Sequence, residues 1–368
     1  MPAEWEPHQA TWLAWPHFQG DWPGKFEPIP WVYAEIIRHL SRHERVELII
    51  NNATSEQRAR NTLKLANAIN RNVRFHRWPT NRVWTRDSGC TFVCGVGAGT
   101  RGKVSGHTNT QSRPTAVRAR GHERSSATLQ AVTWRFDAWA KYPNYRHDEK
   151  IGSLMATAAG AKIIQARHRD ARVVLEGGSI EVNGRGTLIT TEECLLSRVQ
   201  QRNPGFRRED YEQIFANYLG VEHVIWLGQG IAGDDTHGHV DDITRFVSAG
   251  KVVTMVESNR NDKNHRPLAE NIRRLRSATD QDGKRFEVIE LPMPGAVIFE
   301  GRRLPASYGN FYIANGIVLV PVFNDPNDRI ALDILSELFP SREIVPIYSG
   351  DLIWGFGAMH CMTQQQPR

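Results

Sequence analysis

Apolar residues recur along this chain with two periods, and the two alternate. "PWVYAEIIRHLSRH" places Val32, Ile36, Ile37 and Leu40 on one stripe, which predicts an amphipathic helix. "TSEQRARNTLKLANAI" predicts a second helix, capped by Thr54 or Ser55, with Leu63, Leu65 and Ile69 on its apolar side. "REDYEQIFANYLG" predicts a third, ended by Gly220. "DPNDRIALDILSELFP" predicts a fourth, with Asp325 as N-cap and Pro326 in the first turn. Between them run short segments rich in Val, Ile, Phe and Thr, which predict strands: "RVELIINN", "RFHRW", "SIEVNGRGTLITT", "HVIWLG", "KVVTMVE", "FEVIELP" and "NFYIANGIVLVPVF". Asn183-Gly184 and Asn315-Gly316 interrupt two of these and predict hairpins. Helices alternating with strands and hairpins predict an α/β fold of repeated ββαβ-like units, not a plain doubly wound sheet.

Five polar, glycine-bearing interruptions recur: "WTRDSG" at Asp87, "LEGGS" at Glu176, "DDTHGHVDD" at His239, "ASYGNFYIANG" at Asn310 and "WGFGAMHC" at Cys361. A unit of roughly 50–70 residues repeated in this way is consistent with a radial fold. One segment breaks the rhythm. Residues 95–128 are dominated by Gly, Ser, Thr and Arg and have no apolar period, which predicts a surface insertion or disordered loop. The chain is therefore read as one domain, 1–368, carrying that insertion.

Charge sharpens this picture. The net charge is +6, and most of it falls in the insertion, where Arg101, Lys103, Arg113, Arg118, Arg120 and Arg124 face only Glu123. A basic groove for nucleic acid needs charge spread over a folded face, so nucleic acid is not the expected partner. No apolar run approaches the ~18–20 residues of a membrane span. The start, "MPAEWEPHQATWLAWPH", has acids and prolines where a signal peptide needs a basic and then an apolar stretch, which predicts a cytoplasmic protein. Cys90, Cys94, Cys194 and Cys361 form no C-x-x-C pair and no zinc-finger spacing. Each is then a small buried hydrophobe or a reactive thiol.

The densest chemistry lies in "GDDTHGHVDD", with Asp234, Asp235, His237, His239, Asp241 and Asp242 close together. On a strand, His239 and Asp241 would share a face and Asp242 would point away. A metal site is one reading. General acid–base work by His239 beside a carboxylate is the other, and no H-x-x-x-H or H-E-x-x-H spacing supports the metal. Asp87 in "WTRDSG" reads in isolation as a turn residue. Glu176 precedes two glycines that let the backbone approach something closely. Cys361 is either a core thiol or a nucleophile, with His239 as its proton-managing partner. His360 would point away from Cys361 on an extended segment and is expected to be a bystander. Carboxylates, one His and one Cys suit a cationic planar guanidinium, which carboxylates accept through paired hydrogen bonds. Such a cation would also stabilise the thiolate beside it.

These residues carry a family resemblance over nearly the whole chain outside the insertion. "MPAEWEPHQATWLAWPH", "WTRDSG", "LEGGSIEVNGRGTLITTEECLL", "GDDTHGHVDD", "LPASYGNFYIANGIVLVPVFNDPNDR" and "GAMHCMTQQQP" resemble the agmatine deiminases of the guanidine-modifying (pentein) superfamily. The resemblance implies a five-bladed α/β propeller around a central channel. It implies hydrolysis of agmatine to N-carbamoylputrescine and ammonia, in polyamine biosynthesis, with no metal and no organic cofactor. Cys361 would be the nucleophile and His239 the general acid and base. Asp87 and Asp241 would clamp the guanidinium, Glu176 would bind it or orient His239, and Trp84 would wall the pocket. The implied partner is a small cationic substrate, with no membrane, and a homodimer or larger homo-oligomer is compatible with it. Peptidyl-arginine deimination and a catalytically inactive binder of a cationic metabolite are the competing readings. Two departures flank the insertion. Cys90 stands where the family usually has proline, and "WRFDAWAKY" has Asp137 for Asn and one small residue fewer.

Overall fold

The computed structural model describes residues 1–95 and 128–368. The body of the predicted insertion lies outside the described residues. Its two ends are register partners, Gly95 opposite Thr128, in an antiparallel strand pair. The chain thus leaves from the edge strand of one sheet and re-enters on its middle strand, at the same end of the sheet.

The ββαβ pattern is present five times. In each unit a strand pairs antiparallel with a middle strand, and the middle strand pairs parallel with a third across a helix. Thr91–Gly95, Thr128–Thr133 and Lys162–Gln165 form one such sheet, with helix Ile151–Ala158 in the crossover. Glu181–Val182, Thr187–Thr191 and His223–Leu227 form the next, with helix Arg208–Leu219. Thr244–Ser248, Lys251–Val256 and Glu287–Pro292 follow, with helix His265–Ser277. Tyr312–Ala314, Ile317–Val322 and Glu343–Tyr348 follow again, with helix Asn327–Leu338. The remaining unit takes its antiparallel strand from the chain's end. Gln364–Pro367 pairs with His8–Ala14, which pairs parallel with Arg45–Ile50 across helix Ile29–Leu40. Val73–Arg77 extends that sheet after helix Ala53–Leu65.

The predicted hairpins are real, and Gly184 and Gly316 take the positive φ that such turns demand. Some helix ends differ from expectation. Asn52, not Thr54 or Ser55, caps the second helix, because its side chain accepts the Ser55 N–H at 2.8 Å. That helix stops at Leu65, so Leu65 and Ile69 fall outside its buried stripe and are exposed. The fourth predicted helix begins at Asn327 with Pro326 at its N-cap, while Asp325 accepts the Asn327 N–H from one position further out. No helix among the described residues is long and apolar enough to cross a membrane.

What positions the site is a set of five short turns, each leading into the antiparallel strand of one unit. They are Thr85–Ser88, Gly177–Ser179, Val240–Asp242, Tyr308–Asn310 and the turn at 359–362. Each packs on the next in order. The Tyr308–Asn310 turn meets the last one through His360 N–H donating to the Asn310 carbonyl at 3.1 Å. The last turn meets the first through Arg86 N–H donating to the Cys361 carbonyl at 3.2 Å. Asp87, Glu176, His239, Asp241, Asn310 and Cys361 all sit in or beside these turns, which is why residues so distant in sequence converge.

Candidate active site

Asp87 is buried in the Thr85–Ser88 turn, and the residue before it turns the other way, Arg86 reaching Gln365. One Asp87 oxygen accepts the Gly178 N–H at 3.0 Å and the other accepts the Trp139 indole N–H at 2.9 Å. Burial pushes its carboxyl up to about 6, the His239 ring opposes this, and Glu176 and Asp241 add to it.

Glu176 ends an extended segment, and the two glycines after it make the close approach that the sequence suggested. A Cβ on Gly178 would lie 2.5 Å from His239 Nδ1 and 3.1 Å from Asp87 Oδ1. Glu176 Oε1 accepts from Arg202 Nε at 3.1 Å, and Oε2 lies 3.6 Å from His239 Nε2. Burial would raise this carboxyl, but the Arg202 guanidinium and the His239 ring outweigh it and hold it at about 2.

His239 is fully buried. Its Nδ1 lies 3.9 Å from Asp87 Oδ2, so the ring stands between two carboxylates. Burial alone would lower its pKa, yet Asp87, Cys194 and Glu176 lift it well above the usual value. A protonated imidazole held between anions is a proton donor in waiting.

The strand expected for "HVDD" is a 3-10 turn, Val240–Asp242. Asp242 therefore does not point away from the site. It is buried, accepts from Asn310 Nδ2 at 2.9 Å, and lies close to Asp241 and Cys361. Burial and the neighbouring Asp241 and Asp234 push it well above the usual carboxylate range. Asp241 directs Oδ2 at His360 Nδ1, 2.6 Å away, and its buried Oδ1 has no partner. Cys361 Sγ lies 3.7 Å from Asp241 Oδ2 and accepts from Asn310 Nδ2 at 3.1 Å. Burial, then Asp241, Asp242 and Asp87, raise its thiol well above the usual value. At rest this is a thiol and not a thiolate.

The His360 ring bonds to Asp241 instead of turning away from the site. The chain is in a turn here and not extended, so the ring is buried behind the site and bonded to Asp241 and to Glu4. Sequence reasoning also missed Arg202, Asn310 and Trp139. Asn310 lay in a flagged interruption and Trp139 in the anomalous "WRFDAWAKY", but nothing in sequence marked Arg202.

A cavity of about 200 Å³ opens onto Asp87, Cys361, Trp84 and Trp139, with Asp21, Arg82, Tyr142, Asp235 and Trp354 further around its wall. Trp84 thus does line the pocket. Glu176, His239 and Asp241 do not line it; they stand behind Asp87 and Cys361, fully enclosed. Two trios could share a metal ion, Glu176–Cys194–His239 and Asp241–Asp242–Cys361, their ligand atoms all within 4.8 Å. Glu176 and Asp242 are already engaged with Arg202 and Asn310. Among the described residues, the buried polar atoms without partners include Glu176 Oε2, Asp241 Oδ1 and both His239 ring nitrogens. Two of them, Glu176 Oε2 and Asp241 Oδ1, are carboxylate acceptors left unused.

Residues 1–367 match the Porphyromonas-type peptidyl-arginine deiminase family. The agmatine deiminase of Ectopseudomonas mendocina is 33% identical over 390 residues, covering 100% of this chain and 95% of that one. The solved agmatine deiminase of Enterococcus faecalis superposes with a TM-score of 0.84 at 28% identity, over 100% of this chain and 95% of that one. A C. jejuni agmatine deiminase, solved as a Cys-to-Ser variant with substrate bound, gives 0.80 at 25% identity, over 100% and 96%. The chain belongs to this guanidine-modifying family, the agmatine deiminases of the pentein superfamily.

Proposed function

We propose that this protein hydrolyses the guanidinium group of agmatine to N-carbamoylputrescine and ammonia. The observation that carries this reading is a buried thiol ringed by carboxylates, with unpartnered acceptors on Glu176 and Asp241. A neutral peptide carbonyl has no use for that charge; a planar cation with several N–H donors does. The same carboxylates that hold Cys361 protonated at rest become neutralised when a guanidinium enters. The cation then favours the thiolate, and the thiol proton is lost to solvent, so the nucleophile forms only beside its target.

Asp87, on the cavity wall, takes the guanidinium first; Asp241 and Glu176 behind it hold and polarise the cation once it passes between Asp87 and Cys361, and Cys361 thiolate attacks its carbon to give a tetrahedral adduct. His239 gives its proton to the departing nitrogen, and ammonia leaves a thiouronium bonded to sulfur. The now neutral His239 takes a proton from water, the hydroxide adds to the same carbon, and the C–S bond breaks. One water is consumed; as the C–S bond breaks, the adduct's hydroxyl proton passes to sulfur, which restores the resting thiol and the charged ring and leaves a neutral ureido product. The architecture that fits this site is a five-bladed α/β propeller, each blade one ββαβ unit and each inner turn one piece of the site.

The cavity favours a small free guanidine over a polypeptide, since about 200 Å³ is below the usual ~300–1,000 Å³ of drug-sized pockets. Ammonia release from agmatine, free arginine and an arginyl peptide tests the reading, with Cys361→Ser as control. Agmatine is expected to dominate, and Cys361→Ser to bind it in calorimetry without turnover. A dominant rate on the peptide supports peptidyl-arginine deimination instead. Binding without turnover by the parent protein marks an inactive relative.

A further inference from the structure

Two buried groups close to the site have no part in that mechanism: Glu4, from the opening motif, and His360, beside the nucleophile. His360 is 1% exposed. Its Nδ1 lies 2.6 Å from Asp241 Oδ2 and its Nε2 2.8 Å from Glu4 Oε2. Glu4 is otherwise surrounded by donors: Arg245 Nη2 at 2.8 Å, the Ile313 N–H at 2.9 Å and Arg86 Nη2 at 3.2 Å. A carboxylate so placed is an ionised acceptor, and ionised carboxylates only accept. His360 therefore faces an acceptor on each side, Asp241 at Nδ1 and Glu4 at Nε2. Arg245 also binds Glu181, so the ring is set in a sealed cluster with Glu4, Glu181, Asp241, Arg86 and Arg245.

We propose that His360, anchored from behind by Glu4, is a positioning residue for Asp241. It occupies Oδ2 and leaves Oδ1 as the acceptor presented to the substrate guanidinium. Asp241 Oδ2 also lies 3.7 Å from Cys361 Sγ. By drawing that oxygen's charge to itself, His360 weakens the repulsion that opposes thiolate formation. The opening motif thereby gains a purpose: Glu4 reaches across the molecule to hold the back of the clamp. The inference rests on the reading of Asp241 as a guanidinium clamp.

Two substitutions separate the halves of this bridge. Asparagine sets its amide nitrogen near the place of Nδ1, so His360→Asn keeps a donor for Asp241 and drops Glu4. Glutamine sets its nitrogen near Nε2, so His360→Gln keeps Glu4 and drops Asp241. The expected result is a loss of about 10- to 100-fold in kcat/KM for His360→Gln, the range of one hydrogen bond to a charged group. His360→Asn should recover most of it at a similar Tm. In a Cys361→Ser background the agmatine Kd should weaken in the same order. A merely structural role would penalise both variants alike, so equal loss, or a better glutamine variant, overturns the proposal. If neither variant folds, Glu4→Gln decides: it keeps shape and removes the anchoring charge. Weaker agmatine binding at unchanged Tm supports the inference, and unchanged binding overturns it. Failure of the underlying reading looks different, because the Cys361→Ser parent would then bind no agmatine at all.

Discussion

Asp87 is pulled in opposite directions. Substrate binding needs it ionised, while burial holds its carboxyl at about 6 against an ordinary 3.8. For stability the sign follows directly. The raised value means its contribution to folding is full below about 3.8 and is lost as pH rises through about 6. Activity runs the other way. We expect kcat/KM for agmatine to fall on the acid side with an apparent pKa near 6, because the free enzyme must lose that proton. A bound cation favours the anion, so the acid limb of kcat should lie at lower pH than that of kcat/KM. Steady-state rates from pH 4.5 to 8 would check this (roughly the window in which one group near 6 titrates). Asp21, which also lines the cavity, is likewise raised to about 6 by burial. The limb should therefore survive in Asp21→Asn, and its loss there would reassign it. Local stability is given up at Asp87 so that a charge is available where the cation arrives.

Among the elements, the inner turns do what long helices and strands cannot. A turn of three or four residues changes direction fast enough to present one side chain and then feed a strand. Gly177–Ser179 shows how tightly they are set. Gly178 has no positive φ, so alanine is allowed by the backbone there and only space forbids it. Its Cβ would stand 2.5 Å from His239 Nδ1, 3.0 Å from Asp241 Oδ2 and 3.1 Å from Asp87 Oδ1. Gly178→Ala should therefore lower kcat/KM about 100-fold, the scale of an ångström-sized misplacement. The melting temperature should drop modestly, since overpacking costs about 1–3 kcal/mol. Kinetics and a thermal melt on one preparation test both; near-normal kcat/KM would mean these turns tolerate far more slack. The Ala138–Ala140 segment shows the same economy differently. Ala138, Trp139 and Ala140 all take positive φ without being glycine, and this sets the Trp139 indole on Asp87. Such backbone is costly and persists only where its surroundings hold it.

Over the whole molecule, the chain's two ends make one sheet. Gln364–Pro367 pairs with His8–Ala14, Trp12 Nε1 donates to Gln366, and Thr85 and Arg86 bond to Met362 and Gln365. The circuit of inner turns passes through this seam, with Cys361 three residues before the strand. Deleting 364–368 should lower Tm by roughly 10 °C or more and abolish turnover, because several buried hydrogen bonds go at once. Differential scanning calorimetry of the truncated protein checks it; a Tm within a few degrees of the parent would show that the tail does not lock the circuit. The insertion is placed with opposite effect. It departs and returns between paired residues Gly95 and Thr128, so that sheet keeps its register around it.

The α/β class, the repeated unit and most strands and helices were legible locally, because apolar period and glycine turns act within a dozen residues. So were the chemical candidates, since Asp87, Glu176, His239, Asp241 and Cys361 stand in glycine-bearing interruptions of the apolar pattern. Misreadings arose where one residue of conformation decides direction. His360 and Asp242 were assigned by strand alternation, but both lie in tight turns, where alternation does not apply. Arg202 was invisible because its role depends on a partner twenty-six residues away in sequence, whose carboxylate it meets only after folding. Protonation states were equally out of reach. A carboxyl near 6, another near 2 and a thiol held neutral come from burial and neighbouring charge, and neither exists until the five turns close around the same small volume. Residue types and their local periods settle which groups are available. Only the packing of distant segments settles which way each one faces and what charge it bears.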